Sequence, residues 1–355
     1  MALITPVSSV NRRITIYGCT LAQNYRLSAA SRDLSPLSIA RLSEEEARKQ
    51  FRAILFAATD GRPVCPRCQC DAAHEYKVRA EFKCKRCARR FSLTTGTPFH
   101  RRKLSFNKIL CGIAIFSQSP AGTSAVHLSH VLQVNYRTAW RMAHMLREFI
   151  ATRDIPKLSG SVEIDGAEFG GHIRPRNIRA DAKDHRKYPY RSPKRKKVLV
   201  VAAERGGRVR TTVVKRESDA KPFILEHVDR SATVYTDSMP GWNDLHAFFD
   251  VKTVNHSKEY VSQEANTNQA ESFFSEMRRS QIGVYHKVAG PYFSRYGDEL
   301  AWRHNHRLCS DKARWESMCR AVIRRAPSEW VGYSWRKRRR ATGAAIASAS
   351  RPQRG

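Results

Sequence analysis

Four cysteines and three acids carry the chemistry that is legible in this chain. Cys65-Pro66-Arg67-Cys68 is followed after 15 residues by Cys84-Lys85-Arg86-Cys87, the spacing of a four-cysteine zinc ribbon. Each CxxC turn brings two thiolates to one side of a knuckle, and two knuckles complete the tetrahedral shell of a structural zinc. Cys70 and His74 stand near enough to substitute as ligands, and a redox dithiol is the competing reading of a lone CxxC turn. A ribbon this small buries little core, so zinc supplies its folding energy.

The acids sit on β-like runs. Val162-Glu163-Ile164-Asp165 alternates apolar and acidic residues and then meets Gly166, Gly170 and Gly171. Side chains alternate faces along a strand, so Glu163 and Asp165 share one face, with Asp165 expected where the chain leaves the sheet. Ala232-Thr233-Val234-Tyr235-Thr236-Asp237 repeats the pattern 72 positions on, before Pro240-Gly241. An aspartate that merely starts a turn is the plain alternative for each, but two of them in one mixed domain suggest a shared metal site. The third candidate, Glu271, lies in Asn268-Gln269-Ala270-Glu271-Ser272-Phe273-Phe274-Ser275-Glu276-Met277-Arg278. There Ala270, Phe273, Phe274 and Met277 form the inner stripe of a helix. Glu271, Ser275 and Arg278 occupy the adjoining face, a carboxylate and a guanidinium suited to a metal and a phosphate. An ordinary surface pair is the competing reading of that helix alone.

Other elements must position these groups. Ser43 and Glu46 form a capping box ahead of a stripe of Ala47, Phe51, Ile54 and Leu55. Leu104 to Phe116 reads as an apolar helix. Thr123 to Met142 reads as two helices joined by a tight turn, with Thr123 or Ser124 capping the first and Asn135 the second, and with Val126, Leu132, Val134, Ala139 and Met142 facing inward. In a helix-turn-helix the second helix would present Tyr136, Arg137, Thr138 and Arg141 to the major groove; a plain helical hairpin with a solvated basic face fits the same pattern. Residues 172–197 hold eleven Lys and Arg and read as a charged loop. Val198 to Ala203 and Val209 to Val214 then form a hairpin around Gly206-Gly207, and Pro222 to Val228 a short helix. His256, His286, His304 and His306 read as substrate-positioning or core residues and not as metal ligands.

The formal net charge is +32, from 64 Lys and Arg against 32 acids. Such a field attracts polyanions, nucleic acid first. No apolar run approaches the roughly 18 to 20 residues of a membrane span, and no secretory pattern opens the chain, so a cytoplasmic, nucleoid-associated protein with no membrane partner is expected. Nine cysteines there point to thiols or metal and not to disulfides.

Taken together, the ribbon, the paired helices, Val162-Glu163-Ile164-Asp165, the basic insertion, the hairpin, the strand ending at Asp237 and Asn268 to Phe274 resemble insertion-sequence transposases of the zinc-ribbon DDE type, the ISXO-like group. Gly283-Val284-Tyr285-His286, Arg295-Tyr296 and Glu299 to Asn305 look like that family's closing motifs. The resemblance spans roughly residues 40 to 308. It implies an α/β fold: a ribonuclease H-like mixed-sheet catalytic domain preceded by a four-cysteine zinc ribbon and a helix-turn-helix. It implies the organisation 1–38 loose arm, 39–100 helix plus ribbon, 101–158 helix-turn-helix region, 159–308 catalytic domain with the basic insertion, and 309–355 basic tail. It also implies Mg²⁺ (or Mn²⁺) held by Asp165, Asp237 and Glu271, zinc held by Cys65, Cys68, Cys84 and Cys87, and a homo-oligomer acting on element ends and target DNA. Asn268 stands one helical turn before Glu271 and is the alternative third member. The chain departs from the family pattern at Gly166, where a second acid is common, and at Asn266, where His is common. A ribonuclease H-like nuclease or resolvase without strand transfer, and a zinc-ribbon DNA-binding regulator, are the competing functions.

Overall fold

The computed structural model describes residues 25–76, 78–150, 156–172, 191–254, 267–286, 288, 290–324, 326, 328, 330 and 333–334, with the backbone alone at 170–172, 191–196 and 254. Two short helical turns at Tyr25–Leu27 and Ala29–Ser31 precede α1 (Pro36–Ala40) and α2 (Glu44–Leu55). The Ser43 hydroxyl accepts the Glu46 N–H at 3.2 Å and the Glu46 carboxylate accepts the Ser43 N–H at 2.8 Å, so the capping box forms. The ribbon follows as a small antiparallel sheet, β1 (Ala73–Tyr76), β2 (Glu81–Cys84) and β3 (Arg90–Ser92). Arg52 of α2 binds it through Glu75 at 2.9 Å.

Next come α3 (Phe106–Gln118), α4 (Ala125–Leu132) and α5 (Tyr136–Phe149). Ile109, Leu110, Ile113, Ala114 and Phe116 are all buried, so α3 is apolar nearly all round and forms the centre of the first core. A side chain at Gly112 would sit 2.5 Å from the Met142 methyl and 3.0 Å from Leu132, so the glycine leaves room on α3 for these side chains of α5 and α4. Ser124 and Asn135 cap α4 and α5 through the N–H groups of His127 and Arg137. Leu132, Ala139 and Met142 are buried as expected, but Val126 points outward and is 55% exposed. The helical pair is amphipathic on a narrower stripe than the sequence suggests.

The second half is built on a five-stranded mixed sheet of β4 (Ser161–His172), β5 (Arg191–Glu204), β6 (Val209–Val214), β7 (Thr233–Asp237) and β8 (Asp250–Val254), in the order β6-β5-β4-β7-β8. β4 runs antiparallel to β5, and β5 to β6, whereas β7 runs parallel to β4 and β8. One face, with Val162, Ile164, Val198 and Val200, packs on α6 (Lys221–His227) and the 3₁₀ turn Pro240–Ala247. The other, with Leu199, Val201 and Ala203, packs on α7 (Asn268–Ser280) and α8 (Phe293–Asn305). No helix among the described residues is long and apolar enough to cross a membrane.

Four expectations change. β4 does not end at Asp165 but continues to His172 against β5, because glycines in an antiparallel pair still ladder; only its parallel pairing with β7 stops at Ile164/Thr236. The last residues of the basic insertion, Arg191 to Lys197, belong to β5, and residues 173–190 lie outside the described residues. Residues 25–38 are not loose: Asp33 accepts the Ser310 hydroxyl at 2.7 Å and the Lys312 N–H at 2.8 Å, and Gln118 donates to the Leu34 carbonyl. Nor does the tail begin at 309, since α9 (Asp311–Ile323) buries Trp315, Met318, Val322 and Ile323 in the first core, and Trp330 stacks on Arg295 at 3.8 Å. That core joins the ribbon, α2 to α5 and α9, so the residues assigned to 39–100 and 101–158 share one interior.

A buried ion network ties the two halves. Glu299 of α8 accepts from Arg147 of α5 at 2.6 Å, from Arg303 at 2.6 Å and from the Tyr285 hydroxyl at 2.7 Å, with all three charged side chains under 4% exposed. Burial alone would raise the Glu299 carboxyl, but the two guanidinium groups hold it below its ordinary 4.5. Its stabilisation is therefore complete above about pH 4.5 and is lost as pH falls through the lowered folded value. Thermal melts between pH 3 and 7 should show that loss in the wild type. Glu299→Gln should flatten the acid limb while costing about 3 to 5 kcal/mol at neutral pH, since Arg147 is left buried without its counter-charge.

Candidate functional site

The sheet register sets the acids. β4 and β7 are parallel and pair Ile164 with Thr236, so Asp165 and Asp237, each the next residue, stand at one level where the parallel pairing stops. By alternation both lie on the α7 side, opposite Val162, Ile164 and Val234. An open cleft of about 520 Å³ lies there, lined by Asp165, Glu168, Glu271, Ser275 and Arg278 among others. Glu271 is exposed in the first turn of α7, while Ala270, Phe273, Phe274 and Met277 are buried beneath it as the helical stripe requires. Arg278 is exposed two turns on, its guanidinium 5.9 Å from the centre of the Phe169 ring. Asn268 is the exposed first residue of α7 and does not line the cleft, nor does Asp237.

Glu163 sets the distance between α7 and the sheet. Its side chain is 1% exposed, and its carboxylate accepts the N–H groups of Gln269 at 2.7 Å and Ala270 at 3.3 Å, capping the helix that carries Glu271. Arg205 neutralises it at 3.0 Å and lies over the Tyr235 ring at 3.9 Å. Nothing in the sequence marks Glu163 as a helix cap, because the partner helix begins 105 residues later; the shared face with Asp165 is the one available signal.

Burial and neighbouring acids raise the carboxyl groups of Asp165 and Glu217. Burial first, then Asp237, Glu217 and Glu271, push the Asp165 carboxyl up to about 7 against the opposing hydrogen bond from the Gly166 N–H. Glu217, from the turn before α6, is a participant that the sequence does not reveal. Its own carboxyl is raised by burial, Asp237 and Glu168. A side chain at Gly166 would meet the Glu217 Oε1 at 2.5 Å. The glycine thus leaves room for a carboxylate arriving from elsewhere in the chain. Oxygen donors of this kind suit a hard cation such as Mg²⁺.

The ribbon cysteines form a closed set. The Sγ atoms of Cys65, Cys68, Cys84 and Cys87 lie within 4.8 Å of one another, and among the described residues no other three His, Cys, Asp or Glu ligand atoms come so close. Cys65 to Cys87 is 3.6 Å and Cys68 to Cys84 is 3.5 Å, near the roughly 3.8 Å edge of a tetrahedron with 2.3 Å Zn–S bonds. Backbone N–H groups from Cys87 and Arg86 and the neighbouring thiols draw Cys84 down to about 6. Cys68, despite the Cys70 N–H, is pushed up to about 12 by burial and the other thiols. Four cysteines at this spacing fit a tetrahedral zinc. Cys70 and His74 stand outside the set: the Cys70 Sγ faces the Ala72 carbonyl at 3.8 Å, and His74 packs on Tyr76.

Tyr136, Arg137, Thr138 and Arg141 lie at the start of α5, with Tyr136 51% exposed and both arginines exposed. His306 is satisfied by the Trp302 carbonyl and the Ser317 hydroxyl, His304 is lowered to about 4 by burial and Arg307, and His256 lies outside the described residues.

A four-thiol ribbon precedes a mixed sheet with neighbouring acids, and both halves match transposase families. Residues 157–305 match the ISXO2-like transposase domain and residues 42–90 the transposase zinc-ribbon domain. The chain thus carries both the zinc-ribbon and the ISXO2-like domains of insertion-sequence transposases. A protein described as uncharacterised in transposable element ISH50 of Halobacterium salinarum is 29% identical over 229 residues, spanning 61% of this chain and 76% of its own length. Chains from the Mos1 strand transfer complex and a pre-cleavage Mos1 transpososome align at 12% identity over 62% of this chain and 79% and 80% of theirs. Their TM-scores of 0.22 and 0.20 are too low to define a shared fold.

Two outcomes follow from this geometry. In magnesium-free buffer, zinc-loaded Asp165→Asn should melt a few degrees above wild type at pH 8, by about 1 to 2 kcal/mol after allowing for solvent screening in the open cleft. The folded carboxyl is raised to about 7 from 3.8, so ionising it costs the folded state. The gain should shrink as pH falls through 7 and vanish near pH 4. Cys84→Ser should lose the bound zinc, measured by metal release with a colorimetric chelator, and should lower the melting temperature of the first core and not of the ribbon alone, because Phe82 and Phe91 are part of that core.

Proposed function

We propose that the protein is a DNA transposase that cleaves the strands at the ends of an insertion sequence and joins them to target DNA. The observation that carries this reading is the placement of Asp165 and Asp237 as neighbours on paired parallel strands, with Asp165 and Glu271 lining one cleft. The sheet supports a ribonuclease H-like catalytic domain: its strands, counted from β4, run in the order third, second, first, fourth, fifth, with the first three antiparallel. In this reading the ribbon with α2, the α3 to α5 region and the sheet domain are the working units. α4 and α5 act as a helix-turn-helix whose Tyr136, Arg137, Thr138 and Arg141 meet DNA.

Asp165 and Asp237 hold Mg²⁺ (or Mn²⁺), and Glu271 completes the set. Asn268, uncharged and one turn away, assists from the mouth of the helix. Bound there, the metal ions supply activation of a water, and later of a 3′-hydroxyl, and stabilise the leaving oxygen of an in-line phosphodiester displacement. Glu163 and Arg205 keep α7 at its distance from β4, and Arg278 binds a phosphate of the substrate strand. Element ends and target DNA are the partners, with the enzyme working as a homo-oligomer on DNA in the cytoplasm.

The test uses the full chain with DNA carrying the element's ends. Asp165→Asn and Asp237→Asn should each lower Mg²⁺-dependent cleavage by about 10³-fold or more while DNA affinity stays within a few-fold. Glu271→Ala should match them, and Asn268→Ala should cost less. Cleavage that persists in either aspartate variant would sink the assignment. Cleavage without joining would make the protein a nuclease or resolvase, and binding with no metal-dependent chemistry at all would make it a regulator.

A further inference from the structure

A second cavity, of about 550 Å³, opens on the other flank of α7 from the acids. Tyr25 and Arg26 wall it from the N-terminal segment, Glu276 and Arg279 from α7, Arg303 from α8 and Arg307 from the turn after it. Four guanidinium groups thus meet one carboxylate. Arg303 is balanced by Glu299 at 2.6 Å. Arg307 donates to the carbonyls of Gly206, Gly207 and His304, which carry no net charge. Arg279 is exposed on α7, beside Glu276. Arg26 feels Asp311 and Glu276, yet burial and then the positive charges of Arg314 and Arg303 still lower it. The walls therefore carry an excess of positive charge in a concave space, which is the chemistry of an anion site, and guanidinium groups pair best with phosphate.

Size and position narrow the ligand. A bare phosphate does not need a cavity of about 550 Å³, whereas a nucleotide-sized group does, and the Tyr25 ring adds a surface on which a sugar or base can pack. Arg278 lines the acid cleft and the next residue, Arg279, lines this cavity. Arg279 lies eight residues after Glu271. At 1.5 Å per residue that is roughly 12 Å along the helix, a separation that a few nucleotides of one strand span.

We propose that this cavity is a phosphodiester-binding pocket. It takes the backbone of the DNA strand a few nucleotides from the reacting phosphate, with Arg279 and Arg26 as the groups that bind phosphate. The inference rests on the DNA-acting reading above and names a further part of its substrate path.

The zinc-loaded full chain, without divalent cations, is titrated with a fluorescein-labelled duplex of about 40 base pairs across a range of salt concentrations. Arg279→Glu and Arg26→Gln are compared with Lys49→Glu, a charge reversal at a side chain 74% exposed on α2. Arg279→Glu should weaken binding about ten-fold and reduce the slope of log affinity against log salt by about 0.9 for each phosphate that the variant no longer neutralises. Arg26→Gln should shift the slope in the same direction, and Lys49→Glu should leave it unchanged. Arg279→Ala, with a melting curve beside it, guards against misfolding in the reversal. Unchanged slopes in both arginine variants, or an equal loss in Lys49→Glu, would overturn the pocket. So would calorimetric binding of inorganic phosphate that depends on Arg279 while duplex affinity does not, since the site would then serve free phosphate. A wild type with no salt-dependent affinity for the duplex would instead remove the DNA-acting reading itself.

Discussion

A buried carboxylate at the N-terminus of α7 is the contact on which the geometry of the cleft depends. Glu163 and Asp165 project from the same face of β4 two residues apart, and the fold gives them opposite tasks. Glu163 is fully enclosed, accepts two helix N–H groups and is neutralised by Arg205. Asp165 keeps access to the cleft and is crowded by other acids. The helix dipole and Arg205 stabilise the first charge; the second has the Gly166 N–H against burial and three neighbouring carboxylates. One strand therefore fixes where α7 begins and, two residues on, holds a group whose ionisation the protein itself disfavours.

The same contrast recurs at larger scale. The chain as a whole is strongly basic, yet Asp165, Glu168, Glu217 and Glu271 gather at one end of the sheet, around a position where Gly166 makes space for Glu217. In the proposed function the basic surplus attracts the polyanion, and a bound cation would offset the crowding of these acids. Glu299 solves the inverse problem within the interior, with one carboxylate between Arg147 and Arg303. Because Arg147 belongs to α5 and Glu299 to α8, the helix carrying Tyr136 and Arg137 is joined to the sheet domain through a desolvated network, and removing the carboxylate leaves two guanidinium groups buried without a counter-charge.

Much of this architecture is legible in the sequence, for identifiable reasons. The cysteine spacing, the Ser43 box, the Ser124 and Asn135 caps and the apolar stripe of α7 are local patterns, and local patterns survive into the structure because each is satisfied within a few residues of its own position. The exposure of Val126 is not legible, because a short amphipathic helix does not reveal how wide its buried stripe is. Nor is the end of β4, because glycines that punctuate an isolated strand are tolerated where an antiparallel neighbour completes the ladder. Residues 25–38 and α9 read as an arm and a tail because each is weakly patterned alone; each gains its order from the other and from α3.

The sequence by itself determined the types of chemistry available: thiolates at zinc spacing, carboxylates on β-branched runs and on one helical face, and a basic surplus suited to DNA. Tertiary structure decided which of these groups meet. Parallel pairing of β4 with β7 set Asp165 beside Asp237, Glu163 set the approach of α7, and Glu217 entered from a turn with no motif of its own. Register and helix docking arise from contacts between residues some tens to a hundred positions apart, and no local pattern carries that information.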